Sequence, residues 1–202
     1  MFNYFNNDWK WELANVGYYD NKCIRYQNYD TRSGTAGLAL NTPEGDYDDF
    51  FTTAFDLSAT PLGSPLNLNF FSSGAFRSAN FDDMNDTLEI AYTTTCGTNY
   101  TTIKKISKAD IATVGTRSEF FVPQWQGDWK LNSIDLGNLR NTSVFFRFRY
   151  RPGVFSTFNF GSGNNFYLDR IYVSNMPLGV NTVELKEKGM TISPNPTLGN
   201  SF

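Results

Sequence analysis

The chain has 202 residues, a net charge of −3 and 40% hydrophobic residues, enough for one β domain with a real core and a tail. It contains no histidine, which excludes His-ligated zinc, the Ser-His-Asp and Cys-His dyads, and the commonest general base at neutral pH. No basic stripe suited to phosphates is present, and no apolar run approaches the roughly 20 residues that cross a bilayer, so neither nucleic acid binding nor a membrane span is expected.

Nineteen Phe, eleven Tyr and four Trp make the chain 17% aromatic. Such side chains suit a pleated, half-buried surface better than a helix. In chain order, strands are predicted at Lys22–Asn28, Phe50–Asp56, Leu66–Phe70, Thr87–Tyr92, Thr101–Ile106, Glu119–Val122, Trp129–Leu136, Phe145–Tyr150 and Phe166–Val173. Their clearest members alternate: Leu66, Leu68 and Phe70 around Asn67 and Asn69, and Phe146, Phe148 and Tyr150 around Arg147 and Arg149. Turn residues separate the runs, as in Asn41–Gly45, Pro61–Pro65, Gln126–Asp128 and Gly161–Asn165. Only Ser107–Ala112 suits a helical turn, with Ser107 as its expected cap. About nine short strands between turns predict an all-β fold, an antiparallel two-sheet jelly-roll or β-sandwich. After Asn175 the alternation dissolves. Residues 1–176 therefore form the expected sandwich module, 177–190 a linker, and 191–202 the start of something new.

That last segment, Ile192-Ser-Pro-Asn-Pro-Thr-Leu-Gly-Asn-Ser-Phe202, resembles the opening of the C-terminal sorting domain of type IX secretion in gliding bacteria. A second resemblance spans most of residues 8–175. Asn7–Glu12, Asp48–Ser58, Asp86–Gly97, Phe121–Pro123 with Trp129, and Gly163–Ile171 follow the order found in MAM-like jelly-roll accessory domains of secreted cytophagalysin-type metallopeptidases. Arg170 departs from that pattern, which usually has Asn or Asp there. Together the resemblances imply a secreted or cell-surface attached, monomeric, non-catalytic module of a longer protein, engaged by the secretion machinery through its C-terminal domain. The parent could be a zinc peptidase; this chain lacks the two His of that motif.

Jelly-roll modules of this kind imply a structural Ca²⁺ held by the carboxylate inside the last strand, here Asp169, with Asp8 or Glu12 and backbone carbonyls as partners. A carboxylate in so apolar a strand otherwise needs water or an arginine. Cys23 and Cys96, the two cysteines, are compatible with one bridge in an exported protein or with two buried thiols. Trp125, Tyr18 and Tyr19 are candidate stacking surfaces for sugar rings, whereas Trp11 and Trp129 match core positions of the resembled family. Asp86-Thr87-Leu88 resembles an O-glycosylation signal of the same bacteria. Asp82, Asp83 and Glu89 could be combined into a glycosidase pair, but nothing in their spacing places two carboxyls across a cleft. The expected function is an accessory module that engages an extracellular protein or glycan. The alternative is a carbohydrate-binding module of a glycan-degrading enzyme.

Overall fold

The computed structural model describes residues 11–29, 47–61, 63–77, 85–95, 97–137, 139–140, 142–153 and 163–175. Asp8, Cys96, the expected linker and the sorting segment lie outside the described residues. Among the described residues there are ten strands: β1 (Trp11–Ala14), β2 (Cys23–Tyr26), β3 (Asp48–Phe51), β4 (Phe55–Asp56), β5 (Asn67–Phe76), β6 (Thr87–Thr93), β7 (Thr101–Ser107), β8 (Lys130–Asp135), β9 (Ser143–Arg151) and β10 (Gly163–Ser174). All ladders between them are antiparallel. The first sheet runs β1-β2-β10-β5-β8, and the second β3-β9-β6-β7 with β4 also on β9. The chain passes repeatedly from one sheet to the other, so each sheet is assembled from distant segments.

Alternation explains the core. Phe146, Phe148 and Tyr150 turn from β9 towards Leu68 and Phe70 of β5 and Phe166 and Leu168 of β10, all fully buried. Flat rings fill the space between the sheets in edge and stacked pairs. Phe70 meets Phe148 edge-on at 5.3 Å, Tyr26 stacks on Tyr150 at 4.4 Å, and Tyr150 on Phe166 at 5.2 Å. Such pairs are each worth about 0.5–1.5 kcal/mol beyond the area they bury. Trp11 joins this stack and is tied to the second sheet. Its backbone N–H donates to Asp48 Oδ2 at 2.9 Å and its indole N–H to the Asp48 carbonyl at 3.1 Å.

Three local expectations are corrected. The run Phe50–Asp56 is split into β3 and β4. Glu119–Val122 forms no strand, for a reason found in β10 below. The turn after β7 is a three-residue 3-10 turn, Lys108–Asp110, and Ser107 makes no side-chain cap.

Candidate functional site

The two faces of the first sheet are both covered. In β5 every residue from Ser72 to Phe76 is buried, and in β10 every residue from Gly163 to Leu168. One face meets the second sheet. Against the other lies the segment between β7 and β8, which builds a smaller apolar cluster with Ala14, Cys23, Ala75, Phe121, Trp129 and Tyr167. Its path is set by main-chain bonds to β5: Phe76 donates to Gly115 at 2.9 Å and Arg117 to Phe76 at 2.6 Å. It approaches so closely that a Cβ at Gly74 would collide with the Ile111 carbonyl.

Two asparagines at the start of β10 take over where a ladder is missing. Asn164 Nδ2 donates to the carbonyls of Arg117 (2.9 Å) and Glu119 (2.7 Å), and its Oδ1 accepts from Phe121 N–H at 3.0 Å. Tyr167 adds an O–H bond to the Phe121 carbonyl at 2.7 Å. Asn165 Oδ1 accepts from Asn28 and Tyr29 N–H, both at 3.1 Å, and so fixes the exit of β2. Backbone groups that a strand partner would satisfy are satisfied here by side-chain amides. That is why Glu119–Val122 has strand composition without strand geometry.

This segment opens into a cleft of about 360 Å³ lined by Arg117, Glu119, Phe120, Phe121, Val122, Gln124, Trp125 and Asp128. Trp125 is 70% exposed, the most exposed aromatic side chain among the described residues. Its ring lies across Gly127, where a Cβ would collide with it. The 3-10 turn Gln126–Asp128 holds this arrangement. Asp128 accepts from Gln124 N–H at 2.7 Å, and its carbonyl accepts from Ser73 Oγ (2.8 Å) and Thr113 Oγ1 (2.7 Å). Phe120 is braced from behind by Tyr29, edge-on at 5.5 Å, and by the Arg25 guanidinium at 5.5 Å. The cleft therefore offers one rigid, outward-facing indole beside carboxylates, an arginine and an amide.

Tyr18 and Tyr19 stand on the same outer face. Tyr18 stacks on Phe71 at 3.9 Å and is only partly exposed, while Tyr19 is 60% exposed and lies beneath the Arg170 guanidinium at 4.7 Å. Ring contacts run from Tyr18 through Trp129 and Tyr167 to Phe121, so these tyrosines and the cleft share one apolar support.

The described members of the expected Ca²⁺ set are given other partners. Glu12 is paired with Arg25 on the neighbouring strand. Asp169 accepts from Tyr18 N–H at 2.6 Å and Arg170 N–H at 2.7 Å, closing a bulge in which Arg170 has a φ of 49°. Among the described residues no three acidic, histidine or cysteine side chains assemble as metal ligands. Cys23 is a buried free thiol rather than half of a bridge. Its side chain lies on the outer face of the first sheet, in the smaller apolar cluster. Burial, reinforced by the charge of Asp169, pushes this thiol up to about 12.

Asp86 is fully buried between the sheets' ends, where its carboxylate accepts from Gly153 N–H, from Tyr150 O–H at 3.2 Å and from Asn28 Nδ2 at 3.2 Å. Burial outweighs these donors and raises its carboxyl to about 7. Thr87, beside it, is half-buried at the start of β6, with its backbone flanked by β7 and β9.

No protein-family model matches the chain, and no curated protein sequence is significantly similar to it. Among solved structures it is similar to TmCBM61 in complex with β-1,4-galactotriose, at 10% identity and a TM-score of 0.38, covering 77% of this chain and 72% of that one. It is also similar to the K3 cleaved adhesin domain of Lys-gingipain from Porphyromonas gingivalis, at 15% identity and a TM-score of 0.45, covering 77% and 75%. A third is Caldicellulosiruptor saccharolyticus CBM27-1 in complex with mannohexaose, at 11% identity and a TM-score of 0.41, covering 80% of each chain.

Proposed function

We propose that this chain is a non-catalytic binding module of a secreted or surface-attached multidomain protein, and that it takes a glycan in the Trp125 cleft. The observation that carries this reading is the indole of Trp125, held flat over Gly127 and facing solvent beside polar groups. An indole left this exposed forgoes most of the free energy that burial would supply, and the turn that carries it is held by its own hydrogen bonds, which points to use. A sugar ring presents apolar C–H groups on its face and hydroxyls at its edge. The face would lie on the indole, and Arg117, Glu119, Gln124 and Asp128 would receive the hydroxyls. The ring is already positioned, so little ordering entropy is lost on binding.

The test is a glycan array and a pull-down on insoluble polysaccharides with the wild type and Trp125→Ala. Capture of at least one glycan class is expected, weakened about 30-fold or more in the variant, as for truncation of a central aromatic anchor worth about 2 kcal/mol. Trp125→Ala removes a surface ring, so its melting temperature should match the wild type. No capture, or capture unchanged by the substitution, contradicts the reading.

A further inference from the structure

A second exposed ring is built on the outer face of the first sheet in the same manner as Trp125. It belongs to Tyr19, in the segment between β1 and β2. That segment turns tightly, since a Cβ at Gly17 would collide with the carbonyls of Asp20 and Lys22. Each ring-bearing turn is held by a carboxylate that accepts a main-chain N–H: Asp169 from Tyr18 at 2.6 Å, as Asp128 from Gln124 at 2.7 Å. Tyr18 fastens its turn to the sheet by stacking on Phe71 at 3.9 Å, and it meets Tyr19 edge-on at 4.3 Å. Arg170 steadies Tyr19 from the bulge in β10, with its guanidinium 4.7 Å from the ring centre. To do so it keeps a φ of 49°, a backbone conformation disfavoured for a side chain of its size. Trp129 ties the two turns together. The three-residue turn Gln126–Asp128 separates it from Trp125, and its ring lies 6.4 Å from that of Tyr18.

We infer that Tyr19 and Trp125 are two subsites for one linear polysaccharide, so that the module selects chains of several sugars over mono- and disaccharides. The inference rests on the cleft reading and names the substrate class of that site. Trp129, Tyr167 and Phe121 are buried rings packed in series beneath both turns. A close-packed support of this kind does not let one ring shift without the others, so the spacing of the two exposed rings is set before a ligand arrives. Tyr19 lies outside the residues that line the cleft. A single sugar on Trp125 therefore leaves Tyr19 uncovered, whereas a chain that continues across the face covers both. The second contact is then intramolecular and forms at the high effective concentration of a tethered ligand.

The probes are size-fractionated ladders, disaccharide to hexasaccharide, cut from the polysaccharides retained in the pull-down and titrated calorimetrically into the full chain. The hexasaccharide should bind at least about tenfold more tightly than the disaccharide. Tyr19→Ala should lower hexasaccharide affinity about tenfold and leave disaccharide affinity unchanged, while Tyr19→Phe, which keeps the ring, should bind like the wild type. Trp125→Ala should weaken both oligosaccharides. Tyr19 is an exposed side chain, so the melting temperature of Tyr19→Ala should match the wild type. Affinity that levels off at the disaccharide, or Tyr19→Ala binding the hexasaccharide as the wild type does, would overturn the inference and leave the cleft reading standing. A pull-down that retains nothing, or ladders bound equally by Trp125→Ala, would remove the cleft reading and this inference with it.

Discussion

At the scale of single residues, Asp86 is the most consequential side chain that composition did not reveal. It reads in the sequence as one more acid where a loop enters a strand. Only the return of Asn28 from one part of the chain and of Tyr150 and Gly153 from another makes it a buried acceptor. Gly163 is fixed by the same contact, since a Cβ there would fall on the Asp86 carboxylate. The raised carboxyl has a definite consequence for stability. The native state keeps this proton up to about pH 7, whereas the unfolded chain releases it near 3.8. Unfolding therefore releases a proton between those values, and stability falls as pH rises through that window, then levels off. Glu89, raised by burial but lowered overall from its ordinary 4.5 by Lys105 and Arg147, contributes in the opposite sense and only at and below the acid end of this window, where its stabilisation is lost as pH falls. Thermal melts at pH 5 and pH 8 should give the higher melting temperature at pH 5, and Asp86→Asn should flatten the difference. An unchanged slope in that variant would assign the proton elsewhere.

At the scale of elements, period-two alternation was legible wherever a strand has one wet face. Phe146, Phe148 and Tyr150 alternate in the sequence with Arg147 and Arg149, and in β9 they form the fully buried row. The same alternation sets Arg147, Arg149 and Arg151 in a line that a scan for basic runs passes over, because an aromatic residue stands between each pair. Legibility failed where one element satisfies another through side chains. Nothing in Glu119–Val122 says that its partners are the amides of Asn164 and Asn165, and nothing in Gly163-Asn-Asn165 distinguishes a turn from a strand start. If those amides hold the segment, Asn164→Ala should cost about 1–3 kcal/mol, the range for stranding buried polar groups. Amide exchange at Phe121 should accelerate well beyond that of core strands such as β9. Uniform exchange in the variant would mean that packing of Phe121 against Tyr167, rather than the hydrogen bonds, holds the segment.

At the scale of the whole molecule, the aromatic content and the turn spacing sufficed for two antiparallel sheets, and that architecture is what the chain adopts. Which face would be covered was not legible, because it depends on the segment after β7 folding back onto β5 and β10. That choice decides the functional map. The first sheet, covered outside, acquires a cleft with Trp125 at its rim. Trp125 was legible as exposed because it lies between two glutamines in a turn. The rest of the cleft was not, since Arg117, Glu119 and Asp128 converge only through the tertiary path. The most direct measurement is a ¹H–¹⁵N spectrum titrated with the glycan captured in the pull-down. The indole N–H of Trp125 should shift first, with the amides of Arg117 and Gln124, while the buried indoles of Trp11 and Trp129 stay in place. A bound glycan that leaves the Trp125 indole unmoved would contradict the assignment of the cleft.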